Sequence, residues 1–210
     1  MSNTVENLKW RYATKKFNSS KKISNEDFET LKKAIQLTAS SYGLQPYKIL
    51  NIEDKEIRKK LREVSWNQPQ IEDASHMIVL ANITDFGDEL VDDYFENVIE
   101  TRNVTKEDVE DYSNTIKSTI GQLSQEQKAQ WTAKQAYIVV GNLLSAAAQL
   151  RIDACPMEGF QNEEYNKILD LNSKNLNAAV VVTLGYRSEE DDTQHYEKVR
   201  KPENQLFINF

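Results

Sequence analysis

The chain alternates between segments with helical periodicity and short, unbroken apolar runs. The helical segments place apolar residues three and four positions apart, and three residue pairs give the start signal of a capping box or a close variant of it, one of them inside the segment 88–121. These pairs are Ser24 with Asp27, Thr105 with Asp108, and Ser124 with Gln127. The pattern predicts helices over 24–38, 54–64, about 88–121 and 124–150.

The unbroken apolar runs are short and rich in Val, Ile and Leu, which is typical of strands. They predict strands at 46–52, 77–83 and 178–186, and the tail QLFINF (205–210) is predicted to be a further strand. Residues 136–150 are apolar on nearly every side of their helix, so this helix should be buried in a core or between subunits. Helices dominate, and the fold class is α+β.

Composition narrows the classes of function. The chain has 210 residues, contains no repeat or linker, and is interpreted as one domain over 1–210. Its 26 basic and 33 acidic residues give a net charge of −7, which argues against a nucleic acid or an anionic membrane as partner. The single cysteine, the lack of a signal-peptide pattern and the lack of a membrane-length apolar run predict a soluble, cytoplasmic protein.

Several common catalytic patterns are missing from the sequence. No G-x-G occurs, so there is neither a dinucleotide fingerprint nor a P-loop, and there is no G-x-S-x-G elbow. The two histidines and the cysteine lie too far apart for a metal cluster of ordinary spacing. We interpret His76, at the entrance of a predicted strand, as a hydrogen-bonded structural residue and His195, in an acidic run, as solvated.

Basic residues occur in motif-like positions near both ends of this acidic chain. Arg11 and Lys15, with Thr14 between them, lie in WRYATKKF, and Lys198 and Arg200 lie in YEKVRKP. They are either solvated basic patches or a set that converges on one anion, and spacing alone leaves both interpretations open.

The stretch DACPMEGF (153–160) contains the only cysteine. Cys155 is a nucleophile, a metal ligand, or a small buried residue beside a loop that works through Glu158 and Gly159. Nothing near it in the sequence supplies a cation or a histidine to activate the thiol, so the third interpretation is favoured.

Six segments together resemble one known family. RYATKKF, ASSYGLQPYKI, IEDASHMIVL, WTAKQAYIVVGNLLSAAAQL, IDACPMEGF and VVVTLGYR occur in the order and spacing of the FMN-dependent nitroreductases, in their oxygen-insensitive, enterobacterial-type branch. The resemblance spans nearly the whole chain, and only about 85–130 is hard to align. It implies a mixed, mainly antiparallel sheet surrounded by helices, an intertwined homodimer, and one FMN per subunit at the dimer interface.

The resemblance also implies roles for individual residues. Arg11, Lys198 and Arg200 would clamp the flavin phosphate. Residues beside the ribityl chain and the pyrimidine edge would be Tyr12, Ala13, Thr14, Lys15 and Asn67. Ser40, Ser41 and Gln45 would come from the other subunit. The loop along the isoalloxazine would be Pro156, Met157, Glu158 and Gly159, with the backbone N–H groups of the last two directed at flavin N5 and O4.

Two positions depart from the family pattern. Gly43 replaces an asparagine, and Gln70 replaces a lysine that often lies near the pyrimidine edge, which leaves Lys15 as the cation expected there. Both changes bear on redox potential and substrate preference.

The resemblance implies an NAD(P)H-dependent oxidoreductase. Hydride would pass from NADH or NADPH through flavin N5 to a small-molecule acceptor, a nitroaromatic or a quinone, by a ping-pong mechanism, with no catalytic side chain from the protein. The alternatives are a reductase for free flavin, a dihydropteridine or an enone, and a non-catalytic FMN-binding protein. A cofactor-free structural protein is a further alternative.

Overall fold

A four-stranded antiparallel sheet lies at the centre of the computed structural model, which describes residues 3–210; residues 1 and 2 of the expected domain lie outside the described part. The strands are β1 (Tyr47–Asn51), β2 (His76–Ile83), β3 (Asp153–Met157) and β4 (Leu176–Gly185). The α-helices are α1 (Asn3–Trp10), α2 (Asn25–Gln36), α3 (Lys55–Glu63), α4 (Gln70–Asp73), α5 (Glu89–Arg102), α6 (Glu107–Gly121), α7 (Gln125–Gln149), α8 (Asn162–Ile168) and α9 (Glu203–Leu206).

The strand order is β1-β2-β4-β3, so β1 and β3 form the two edges. Every neighbouring pair is antiparallel, with Tyr47 opposite Asn82 and Cys155 opposite Thr183. Because the direction alternates, the chain enters β1 and leaves β3 at the same end of the sheet. The segments that precede β1 and follow β3 therefore share that end but lie at opposite edges.

Both faces of the sheet are covered by helices, and this explains the unbroken apolar runs. On one face, Leu80 and Val182 pack against Leu31 of α2 and Leu143 of α7. On the other face, strand residues such as Val79 pack in a second cluster with side chains of α3, α4 and α8, namely Leu61, Ile71 and Tyr165. A third, smaller cluster forms between α5 and α6.

The predicted helix starts are confirmed. Ser24 accepts a hydrogen bond from the Asp27 N–H at 3.1 Å and caps α2, while Ser124 and Gln127 form a complete capping box at α7. The charged segment 88–121 is helical but divided, because Asn103 adopts a left-handed conformation (φ 52°) that ends α5. Thr105 and Asp108 then hydrogen-bond each other ahead of α6.

One prediction about an apolar segment needs correction. The tail 205–210 is not a strand, since α9 includes Leu206 and the rest of the tail pairs with no strand among residues 3–210. Helix α7 leaves Tyr137 and Ile138 42% and 47% exposed in the single chain, so burial of these residues between subunits stays a prediction. In the described part of the chain, no helix is both long and apolar enough to cross a membrane.

Candidate flavin-binding site

The N-terminal segment after α1 lies along the outer edge of β3. Ala13 forms a parallel bridge with Ala154, and further along Asn18 N–H donates to the Tyr186 carbonyl at 2.8 Å. The motif WRYATKKF is thereby placed beside DACPMEGF, although the two are more than a hundred residues apart in sequence. The structure brings together these two of the predicted flavin-binding segments.

An ion pair and two aromatic rings hold this segment against β3. The Arg187 guanidinium donates to the Asp153 carboxylate from Nε at 2.9 Å and from Nη2 at 2.6 Å. The same guanidinium lies 4.5 Å from the centre of the Trp10 ring and 4.6 Å from that of Tyr12. Cation–π contacts of this kind stabilise the arrangement in addition to the ion pair.

The three predicted phosphate ligands, Arg11, Lys198 and Arg200, come from the two ends of the chain and lie close together. Burial lowers the pKa of Arg11, and the charge of Arg200 lowers it further. Burial, Arg11 and Arg200 likewise lower the pKa of Lys198. Like charges repel unless an anion lies between them. The cluster therefore has the electrostatic character of an anion-binding site.

The ammonium group of Lys198 also has a role that the sequence did not predict. It donates to the last carbonyls of α1, those of Leu8 at 2.5 Å and Lys9 at 3.0 Å, and to the Arg11 carbonyl. A lysine at a helix C-terminus is favourable because it satisfies free carbonyls and complements the helix dipole. Lys198 thus anchors the C-terminal segment beside Arg11.

None of the predicted cationic ligands is neutralised by a carboxylate. The ion pairs formed within residues 3–210 include neither Arg11, Lys15, Lys198 nor Arg200. In a chain with a net charge of −7, four cations without an acidic partner at one place are an unusual arrangement.

Buried polar atoms without a partner mark the same region. Within residues 3–210, the buried side-chain atoms that make no hydrogen bond are Arg11 Nε, Thr14 Oγ1 and Gln70 Oε1. Buried polar atoms are normally satisfied, and an exception in a native structure calls for a missing partner. Two of the three belong to the predicted flavin motif, and the third is the position where the family often has lysine.

The loop after β3 is held by the segment that connects α3 and α4. Gln68 Nε2 donates to the Gly159 carbonyl at 2.8 Å. Trp66 and Asn67 both have positive φ angles, of 51° and 55°, and Trp66 is 64% exposed. Such backbone conformations are costly for a bulky residue and concentrate at functional sites. Asn67 is therefore the immediate chain neighbour of Gln68, the residue that contacts the Pro156–Gly159 loop.

Gly159 has close neighbours within the chain. A Cβ atom at this position would lie 2.7 Å from Cζ3 of Trp66 and 3.0 Å from Nε2 of Gln68. The chain itself therefore favours a residue without a side chain here, and the approach of a flat ring to this glycine stays a prediction.

Cys155 is a small buried residue, as predicted. It lies in β3 with 1% of its surface exposed, and burial raises the pKa of its thiol. A raised pKa disfavours the thiolate, which is the nucleophilic form. His76 is structural as well, since it stacks on Phe28 with ring centres 3.9 Å apart and its pKa is lowered, chiefly by burial.

One carboxylate contact at the loop was missed by the sequence analysis. The Tyr137 hydroxyl on α7 donates to Glu158 Oε1, and burial together with this carboxylate raises the pKa of Tyr137 to about 12. The signal was present, because Tyr137 is a polar-tipped residue in an otherwise apolar helix segment. Its partner is 21 residues away and only the fold identifies it.

Ser40, Ser41 and Gln45 are not brought to this site within one chain. They precede β1, at the opposite edge of the sheet. Neighbouring strands are about 4.8 Å apart, so three spacings separate β1 from β3 by roughly 14 Å. Ser40 Oγ accepts from the Gln45 N–H at 2.9 Å, and the Ser41 N–H donates to Gln135 at 2.8 Å, which fixes this loop on its own edge.

Gly43, a departure from the family pattern, has a local explanation. Its φ of 77° is unfavourable for residues with a side chain, and a Cβ would lie 2.9 Å from Cε2 of Tyr94 on α5. The ring of Tyr94 therefore occupies the space that the family's asparagine would need.

Comparisons with known proteins agree with this geometry. Residues 8–186 match the family model described as "Nitroreductase family". YfkO of Bacillus subtilis, provisionally named an NAD(P)H nitroreductase, is 34% identical over 189 residues, which cover 85% of this chain and 86% of YfkO. A sheet with helices on both faces and a cationic site beside one edge therefore belongs to a known class of fold. The chain is a member of the nitroreductase family.

Solved structures share the fold at low sequence identity. A nitroreductase-type protein of Exiguobacterium sibiricum, solved in complex with FMN, aligns with a TM-score of 0.85 and 19% identity over 100% of this chain and 98% of that one. CLA-ER, an enone reductase of gut-bacterial fatty acid saturation, aligns with a TM-score of 0.81 and 18% identity over 100% and 98% of the two chains.

The first prediction concerns Gly159. Gly159→Ala should lower the free energy of unfolding of the flavin-free protein by about 1–3 kcal/mol, the cost of overpacking, because the methyl group meets Trp66. Trp66→Ala in the same chain should recover most of that loss. Urea denaturation of the single and double variants measures both effects.

Gly121→Ala is the matched control, because a Cβ there meets nothing within 4 Å. It should leave the free energy of unfolding unchanged or raise it. Equal effects of the two alanine substitutions would contradict the assigned role of Trp66.

Proposed function

We propose that the protein binds FMN and uses it as an NAD(P)H-dependent oxidoreductase that reduces nitroaromatic or quinone acceptors. The observation that carries this proposal is the group of unneutralised cations at β3, Arg11, Lys198 and Arg200, beside the unpartnered buried atoms of Arg11 and Thr14. Bound FMN would supply the chemistry of hydride transfer between the nicotinamide and the acceptor. The chain's own residues supply binding, orientation and charge.

The cationic cluster fits a terminal monophosphate. A phosphate dianion would relieve the mutual repulsion of Arg11, Lys198 and Arg200, and each charge-assisted hydrogen bond from a guanidinium contributes about 1.5–3 kcal/mol. Lys198 would act through its charge, because its three N–H groups already donate to the carbonyls of Leu8, Lys9 and Arg11. Arg11 Nε is a donor in need of an acceptor. The donor set therefore suits FMN, whose phosphate ends the molecule, better than a flavin without phosphate.

The ring end of the flavin would lie near Lys15, Asn67 and the loop from Pro156 to Gly159. An exposed lysine ammonium at the pyrimidine edge stabilises the negative charge of the reduced flavin. The Tyr137 hydroxyl donates to the Glu158 side chain and so helps to orient the loop. These residues bind and polarise, and none is assigned a proton-transfer step.

We also propose that the functional unit is a homodimer. Ser40, Ser41 and Gln45 of one chain cannot reach its own β3 edge, so a complete site needs these residues from a second copy. A groove of about 1020 Å³ runs beside the unpaired edge strand β1, with Ile49 in its lining. The tail leaves Phe207 and Ile208 mostly exposed, and an exposed apolar segment can add to such an edge.

The experiment that tests the function begins with the visible spectrum of the purified protein. A flavin spectrum and release of FMN, not FAD, on denaturation are expected. Steady-state NADH and NADPH oxidation is then measured with menadione, a nitrofuran, free flavin, a dihydropteridine and an enone. Protein that binds no flavin after reconstitution would refute the proposal, and bound FMN without turnover would indicate a flavin-binding protein.

Enone reduction is kept as a second candidate because CLA-ER shares the fold along the full chain. A turnover rate with an enone above that with menadione and the nitrofuran would favour it. The binding assignments of Arg11, Lys198 and Arg200 are the same in both cases.

Arg200 gives a prediction specific to the phosphate. Arg200→Ala should raise the FMN dissociation constant about tenfold or more, because one charge-assisted bond is worth about 1.5–3 kcal/mol. Lys201→Ala removes the same charge one position further on and should change it little. Quenching of FMN fluorescence measures both constants, and equal values for the two variants would remove Arg200 from the site.

The tail gives a prediction for the dimer. Ile208 is 78% exposed in the single chain, so Ile208→Asp should leave the monomer folded but weaken association, because a charge would enter the interface. Asn209→Asp adds the same charge at the next position and should leave the dimer intact. Light scattering gives the mass, and a monomeric wild type with full activity would contradict the dimer.

A further inference from the structure

The acidic run of residues 189–192 contains one carboxylate that differs from its neighbours. Asp191 is 1% exposed, whereas Glu189, Glu190 and Asp192 are exposed. The sequence analysis treated this run only as a charged, solvated stretch. A buried carboxylate needs partners for its oxygen atoms, and the structure identifies them.

The partners come from the predicted flavin motif. Asp191 Oδ2 accepts hydrogen bonds from the Lys15 N–H at 2.7 Å, the Lys16 N–H at 3.1 Å and the Tyr12 hydroxyl at 2.9 Å. One carboxylate oxygen thus fixes both ends of the segment 12–16. Backbone N–H groups in a loop lack the regular partners of a helix or strand, so these bonds favour one conformation of the segment.

The other oxygen fixes the carboxylate itself. Asp191 Oδ1 accepts from the Thr193 N–H at 3.2 Å and from the Thr193 hydroxyl. Burial raises the pKa of Asp191, but the hydrogen bonds from Thr193, Lys15, Lys16 and Tyr12 outweigh it and lower the pKa below its ordinary value. The group is therefore ionised at neutral pH and has its acceptor positions filled.

The choice of donors matters for the site. Asp191 is saturated by backbone amides and hydroxyl groups and forms no ion pair with a lysine or arginine of the described chain. It orders the segment without neutralising Lys15 or Arg11. Capping the turn at 192–195 needs only the bonds from Thr193. The three bonds from residues 12–16 therefore indicate a second role for Asp191.

We propose that Asp191 is a positioning residue that holds segment 12–16 in the conformation that binds FMN. This inference rests on the proposed function. Asp191 fixes the backbone of Lys15 while the lysine side chain stays exposed, and it leaves the Thr14 hydroxyl without a protein partner. The Lys15 side chain is thereby available to a ligand, and the Thr14 hydroxyl is buried without a partner.

The test compares Asp191→Asn with Asp192→Asn. Both substitutions remove one negative charge from adjacent positions, but Asp192 is exposed and outside the network. Asp191→Asn puts an NH₂ group among donors and removes acceptor capacity. It should raise the FMN dissociation constant of the flavin-free protein about tenfold, which corresponds to about 1.4 kcal/mol. Asp192→Asn should stay within about twofold of the wild type, well under that 1.4 kcal/mol.

A second readout separates positioning from stability. The midpoint potential of the bound flavin, measured by anaerobic dye-coupled titration, should fall in Asp191→Asn because the charge of Lys15 is displaced from the reduced flavin. Both measurements are made well below the melting temperature of each variant. A purely structural role would lower that temperature and leave the dissociation constant and the potential unchanged, and this result would overturn the inference.

Thr193→Val replaces Asp191→Asn if the latter does not fold. It removes the hydroxyl that holds Oδ1 but keeps the carboxylate and its bonds to segment 12–16, so a smaller rise in the FMN dissociation constant is expected. An unchanged constant would overturn the inference. Wild-type protein that binds no FMN refutes the proposed function instead, so the two failures are distinguishable.

Discussion

The ion pair between Arg187 and Asp153 is the contact on which the candidate site depends. Asp153 begins β3, and Arg187 follows β4 and lies against the rings of Trp10 and Tyr12. The pair therefore fixes the N-terminal segment against the strand whose end carries the Pro156–Gly159 loop. Loss of one partner of a buried pair costs about 3–5 kcal/mol. Without it, the N-terminal segment would be held only by weaker contacts, such as the Ala13–Ala154 bridge and the hydrogen bonds to Asp191.

The cationic site persists in this acidic chain because the nearby carboxylates are bonded to other groups. Asp153 pairs with Arg187, and Asp191 is saturated by amides and hydroxyl groups. Neither is free to pair with Arg11 or Lys15, so these positive charges persist. Repulsion among the cations destabilises the folded protein. An anionic ligand would remove this repulsion and so stabilise the folded state on binding.

Local signals predicted the frame of the fold, and long-range contacts decided the rest. The helices that begin after Ser24 and Ser124 could be predicted, because a cap is formed within four residues of chain. Short helices such as α4 and α8 have no comparable signal, because packing on the sheet stabilises them. Asp191 looked like any acidic surface residue, since its partners are about 175 positions away. The tail was misread because alternation alone does not supply a partner strand.

The helices α5 and α6 explain how one part of the chain can differ from the family without disturbing the flavin region. They form their own apolar cluster, with Val91, Phe95 and Ile116, which meets a cluster of the sheet at Ile83 of β2. Leu44 joins that cluster, and Tyr94 lies over Gly43, so the connection to the loop before β1 runs through these two contacts. Changes in α5 and α6 reach the loop at the β1 edge, while the cations at β3 stay fixed by a different set of bonds. The two edges of the sheet can therefore change largely independently, with the cationic cluster at one edge and the loop before β1 at the other.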